Sequence, residues 1–188
     1  MKSYNFAIVG ATGMVGRTFL DVLDERDISI NQLHLFASNR SAGTKIPFRG
    51  VDYTVEELKQ DSFMHKDIDI ALFSAGASLS LEYSPLAVAA GAVVIDNSSA
   101  WRMDPDVPLV VPEVNPEDLK GYSKRNIIAN PNCSTIQMVV ALHPIHKQYG
   151  IKRIVVSTYQ AVSGTGKKAI DELFDQSRAM INFLDYEN

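Results

Sequence analysis

Short apolar runs along this chain alternate with longer stretches in which apolar residues recur at helical spacing. Tyr4–Val9 (YNFAIV) reads as a buried strand, and Met14–Arg26 as a helix with Val15, Phe19, Val22 and Leu23 on one face. A second strand is expected at Gln32–Ala37, followed by the polar turn SNRSAG and by two short exposed strands in Lys45–Val55 around Arg49-Gly50. Asp69–Phe73 reads as another buried strand, and Leu79–Ala90 as a helix that contains Ser84-Pro85 and ends at Gly91. Further strands are expected at Val93–Asp96 and near Asn126–Ala129, separated by a loop rich in Ser and Pro. A helix then starts at about Cys133, a strand follows at Arg153–Tyr159, and a last helix from Lys167 turns Ile170, Leu173, Phe174, Ile181 and Leu184 inward. Strands separated by helices predict an α/β fold, a doubly wound parallel sheet covered on both faces.

Charge and composition narrow the function classes. The net charge of −4, with no basic run, argues against a nucleic-acid surface, and no apolar stretch reaches the ~18 residues of a membrane span. The N-terminal MKSYNFAIVGATG runs straight into a strand and lacks the small-residue cleavage site of a signal peptide. A single cysteine excludes a disulfide framework and predicts a reducing, cytoplasmic setting. His34, His65, His143 and His146 form no ligand cluster with it, so no metal is expected.

The first strand leads into Gly10-Ala-Thr12-Gly13-Met14-Val15-Gly16, a G-x-x-G-x-x-G run that opens a helix. Amides at such a helix start suit an anion. The end of the second strand offers Ser38, Arg40 and Ser41 rather than the carboxylate that accepts from a ribose 2′-hydroxyl. A guanidinium fork and hydroxyls suit a 2′-phosphate, so NADP is expected over NAD. Taken separately, either segment could be an ordinary turn. Cys133, in Asn130-Pro-Asn-Cys-Ser-Thr135, falls at a strand end and a helix start. There the helix terminus favours the thiolate and nearby amides can hold an oxyanion. A small buried hydrophobe is the alternative, but such residues more often sit in apolar runs than in NPNCST.

NPNCST resembles the nucleophile segment of the aspartate-β-semialdehyde dehydrogenases. The resemblance extends through GATGMVG, SNRSAG, FSAGAS, IDNSSAWR, VPEVN and YQAVSGTGKKAIDEL, in order along the chain. It implies an NADP-binding Rossmann-like domain over residues 1–130 and the beginning of an α+β catalytic/dimerisation domain over 131–188. The implied reaction is the NADP-dependent reductive dephosphorylation of β-aspartyl phosphate to aspartate β-semialdehyde. That reaction serves lysine, methionine and threonine biosynthesis, and the full-length family protein is a cytoplasmic homodimer. By the same resemblance Cys133 is the nucleophile and Asn132 an oxyanion donor, while Gln160 orients the substrate and Arg102 binds substrate or inorganic phosphate. Gly10, Thr12, Gly13, Met14, Val15, Gly16, Ser38, Arg40 and Ser41 contact NADP, and Ser163 and Gly164 lie near the nicotinamide. Gln160 could instead be a solvent-facing strand residue and Arg102 a surface charge.

The family's base is a histidine in a downstream segment that these residues do not include. His143 would stand about 15 Å along the helix from its start at 1.5 Å per residue, out of reach of the thiol. The chain is therefore expected to be a fragment, ending at Asn188 inside a patterned helix, that binds NADP without turnover. N-acetyl-γ-glutamyl-phosphate reductase has the same chemistry but flanks its nucleophile with a glycine and an aromatic. A non-catalytic NADP-binding module is the remaining alternative.

Overall fold

The structure, a computed structural model, describes residues 2–184 and Tyr186. Two compact units divide the chain, Met1–Lys152 and Arg153–Asn188. The first unit is built on seven strands: β1 (Tyr4–Val9), β2 (Ile30–Ala37), β3 (Lys45–Phe48), β4 (Val51–Glu57), β5 (Ile70–Phe73), β6 (Val93–Asp96) and β7 (Ile127–Ala129). They form one sheet in the order β3-β4-β2-β1-β5-β6-β7. All neighbours are parallel except the β3–β4 hairpin, which is antiparallel around Arg49-Gly50. The helices are α1 (Met14–Glu25), α2 (Ala77–Ala89), α3 (Cys133–Tyr149) and α4 (Lys167–Ile181). This is the Rossmann-like doubly wound sheet that the alternating pattern predicts.

Strand alternation sorts the core into two layers. Phe6, Ile8, Leu35 and Leu72 pack with Leu20 and Leu23 of α1. Ala7, Val9, Phe36, Phe73 and Val94 pack with Ala87 of α2, with Phe63 and with Trp101. The layers fix where the crevice lies. Chain connections leave β1 towards β2 on one side and return to β5 on the other, and ligands of such sheets bind at the carboxyl ends of the strands where that reversal occurs.

Four expectations are corrected. The buried face of α1 is Gly16, Leu20 and Leu23, with Phe19 half-buried, whereas Val15 and Val22 are exposed. The reason is Gly16: with no side chain it lets the helix sit directly on the turn, and the apolar stripe rotates to match. Arg153–Tyr159 forms no strand, because no described segment pairs with it; Val155 is 84% exposed and Tyr159 fully so. A strand exists only with a partner to take its amides and carbonyls. In α4 the stripe of Leu173, Phe174 and Ile181, continued by Leu184, is exposed rather than inward. An amphipathic helix buries its stripe only where a second apolar surface meets it. The loop before β7 also carries a 3₁₀ helix at Pro116–Lys124 that the Ser- and Pro-rich composition concealed. The expectation placed on Asn188 lies outside the described residues.

His34 gives β2 a pH response. Its Nε2 is buried with no described partner, and Nδ1 lies 3.6 Å from Glu56. Burial, then the Lys66 charge, holds its pKa below the usual histidine value, against the opposing pull of Glu56. Because the folded pKa is depressed, the unfolded chain takes up the proton first as pH falls. Stability is therefore intact above the ordinary histidine pKa and is lost on acidification through it. Urea midpoints at about pH 7 and pH 5 should show a smaller acid loss for His34→Gln than for the parent chain. An equal loss in both would remove His34 from the pH response.

Candidate active and cofactor site

Gly10 closes β1 with φ +89°, and a Cβ there would strike the carbonyl of Ser74 at the end of β5. Its amide and that of Ala11 both donate to Phe36 O on β2, at 2.9 and 3.1 Å. The turn is thus pinned between the two strands that flank β1. A Cβ on Gly16 would overlap Gly10 O and the Ala11 backbone, whereas one on Gly13 would only touch Gly10 O at 3.3 Å. The three glycines therefore do different work. Gly10 supplies a positive φ and a close approach, Gly16 lets α1 rest on the turn, and Gly13 stands before the first helical residue. No side chain caps α1. Its first-turn amides, including those of Met14 and Val15, have no intrahelical acceptor, an arrangement that suits an anion.

Beside this turn lies a crevice of about 280 Å³. Gly10, Thr12, Gly13 and Ser38 line its polar side, and Leu58, Leu79 and Tyr83 its apolar side. Thr12 Oγ1 lies 3.4 Å from Ser41 Oγ, which ties the glycine turn to the turn after β2. Ser38 precedes a single 3₁₀ turn over Asn39–Ser41 that leaves Arg40 exposed and unpaired with any described residue. Sequence reasoning found no carboxylate at the end of β2, but the sheet register brings one in from β4. Glu57, opposite Ala37, accepts from Asn39 Nδ2 at 3.1 Å and pairs with Lys59 at 3.0 Å. Hydrogen bonds from Lys59 and then Asn39 hold its pKa below the usual glutamate value. Its charge is therefore already balanced. Leu58, Leu79 and Tyr83 were also missed; nothing in a helix or a short connection marks a residue that lines a crevice.

At the other end of the carboxyl edge, β7 runs through Asn130 and the buried Pro131 into α3. Asn132 caps α3 with its side-chain oxygen, which accepts from Ser134 N at 3.0 Å and Thr135 N at 3.2 Å. That leaves its Nδ2 as the side chain's outward donor. Cys133 is the first residue of α3 and is exposed. Arg102 is half-buried. Its Nε donates to Asn130 O at 3.0 Å and its Nη2 to Asn97 O at 3.1 Å, gripping the carbonyls that follow β7 and β6. Asn130 Nδ2 also donates to Asn97 Oδ1 at 2.6 Å. Two of the five guanidinium donors are thus occupied, and the rest remain for an anion.

His143 and His146 lie along α3, and His146 Nδ1 accepts the amide of Ile151 at the helix end, a structural duty. In the second unit, Gln160 and Ser163 are exposed, and the Gln160 carboxamide lies where a Cβ on Gly164 would be. Among the described residues no group of three or more His, Cys, Asp or Glu could hold a metal ion, and no helix is long and apolar enough to cross a membrane.

A doubly wound sheet with an uncapped helix start at its reversal point defines a dinucleotide-binding α/β protein. More narrowly, the chain belongs to the semialdehyde dehydrogenase family. The family model described as "Semialdehyde dehydrogenase, NAD binding domain" matches residues 5–122, and that described as "Semialdehyde dehydrogenase, dimerisation domain" matches residues 142–187. An aspartate-semialdehyde dehydrogenase of Aquifex aeolicus is 66% identical over 94% of this chain and 52% of its own length. The crystal structure of aspartate semialdehyde dehydrogenase II of Vibrio cholerae, complexed with ASA, is 50% identical with a TM-score of 0.94. That match covers 100% of this chain and 55% of the other. The Candida albicans aspartate semialdehyde dehydrogenase solved with NADP is 30% identical with a TM-score of 0.66, over 80% of this chain and 48% of its own. The chain thus spans about half the length of the curated relatives it matches.

The glycine geometry predicts unequal substitutions. Gly16→Ala forces backbone apart and should destabilise by about 1–3 kcal/mol. Gly13→Ala should stay within about 1 kcal/mol, the size of a helix-cap change. Chemical denaturation of the two variants compares them, and equal losses would contradict the assigned division of labour.

Proposed function

We propose that this chain carries the NADP site and the nucleophile of an aspartate-semialdehyde dehydrogenase, which reductively dephosphorylates β-aspartyl phosphate. The observation that carries the reading is the exposed Cys133 at the start of α3, with the Arg102 guanidinium fixed on the carbonyl of Asn130 three residues before it. The uncapped start of α1 receives the pyrophosphate, and the exposed Arg40 with Ser38 and Ser41 receives the 2′-phosphate. Met14 and Val15 contribute first-turn amides. The apolar wall of Leu58, Leu79 and Tyr83 takes the adenine. Both the glycine cradle, in which a Cβ at Gly10 or Gly16 would collide with backbone, and the unpaired cation fit this cofactor.

In the proposed chemistry the Cys133 thiolate attacks the acyl carbon of β-aspartyl phosphate while Asn132 Nδ2 donates to the oxyanion. The C–O bond to phosphate breaks, and Arg102 holds the departing anion. NADPH, when bound, supplies the hydride that reduces the resulting thioester. Collapse of that adduct returns the electron pair to Cys133 sulfur and frees the aldehyde. The family's dimerisation-domain match over residues 142–187 supports a homodimer, and the single cysteine supports a reducing cytoplasm.

Two measurements on this chain test the reading. Acetyl phosphate, a small acyl phosphate, should form a hydroxylamine-labile acyl adduct at Cys133 by mass spectrometry, absent in Cys133→Ser. Alkylation of Cys133 by iodoacetamide without any acyl adduct would reject the acyl-transfer role. NADPH fluorescence titration should show Arg40→Ala weakening NADPH more than about tenfold, the loss of a charge-assisted hydrogen bond, with NADH unchanged. Equal weakening of both cofactors would place Arg40 away from the 2′-phosphate.

A further inference from the structure

Asp96, the last residue of β6, is fully buried on the same strand face as Val94, where an aliphatic residue would continue the core. A buried carboxylate disfavours folding unless it is hydrogen-bonded, and apolar replacements of similar size often stabilise. Here Oδ1 has no described partner, and Oδ2 accepts one hydrogen bond, from Ser98 Oγ at 2.6 Å. Ser98 Oγ in turn accepts the amide of Ala100 at 3.1 Å. Those two bonds close the turn over residues 97–100. The turn holds Asn97, whose side chain and carbonyl bind Asn130 Nδ2 and Arg102 Nη2, and it leads directly into Arg102. The Asp96 carbonyl also accepts the amide of Asn130 at 2.8 Å. The β6 end, the arginine and the residue that introduces the cysteine loop therefore form one bonded unit, and the buried carboxylate is its root.

We propose that Asp96 is a positioning residue: through Ser98 it fixes the turn that presents Arg102 to an anion at Cys133. The proposal rests on the reading of Arg102 as the anion anchor of that site. The ratio of iodoacetate to iodoacetamide alkylation rates at Cys133 measures the local positive charge, because the two reagents differ in charge far more than in size. Arg102→Gln should lower the ratio about fivefold, the effect of one nearby charge in a largely aqueous setting. Ser98→Ala and Asp96→Val should each lower it by about threefold, since the guanidinium stays in the molecule but loses its fixed place. Ser98→Thr, which keeps the hydroxyl, should return the parental ratio. Should Asp96→Val fail to fold, the two Ser98 variants decide the matter. A parental ratio in Ser98→Ala while Arg102→Gln lowers it would overturn the positioning role alone. So would a fall that Ser98→Thr shares. A parental ratio in Arg102→Gln itself would sink both this proposal and the anchor reading beneath it.

Discussion

The seating of α1 on its own turn is the contact on which the glycine turn and the crevice beside it depend. Gly16 meets the Gly10 carbonyl and the Ala11 backbone at a separation that admits no side chain. That contact fixes the helix axis relative to β1, and the two amides on Phe36 O fix the turn relative to β2. The rest follows mechanically. Leu20 and Leu23 pack against the sheet, and Thr12 beside the turn reaches Ser41.

Two helix starts at the carboxyl edge of one sheet are finished in opposite ways. The start of α1 has no side-chain cap, so its amides stay open to a diffusible anion. At α3 the Asn132 oxygen takes the amides of Ser134 and Thr135, so the helix completes itself. What that end presents outward is a thiol and a carboxamide. Whether the amides of a helix start stay open thus comes down to whether the residue before the helix has a side chain that can fold back.

Strand positions were legible to within a residue or two because buried parallel strands read as unbroken apolar runs, and Ile70–Phe73 shows this most plainly. The glycine turn, Arg40 and Cys133 were legible because each departs from what a plain core would place there. What stayed hidden was relational. Val15 and Val22 have the same apolar character as Leu20 and Leu23, and only the contact at Gly16 decides which pair is buried. Glu57 reaches Asn39 through strand register, which no local pattern encodes. The strand expected at Arg153–Tyr159 has the right composition, yet pairing is a property of two segments. Arg102 was found by resemblance, but its grip on Asn97 and Asn130 depends on the adjacency of β6 and β7.

That unpaired stretch shapes how the chain behaves as a substance. Ile154, Val155, Val156 and Tyr159 are all exposed in a segment with no ladder of its own. Unpaired strand-forming backbone is a template for any other strand, including the same segment in another molecule. Protein concentration therefore becomes a structural variable for this chain. Lys152 and Arg153 stand at one end of the run, and like charges at the end of an unpaired segment oppose sheet growth to an extent that salt screens.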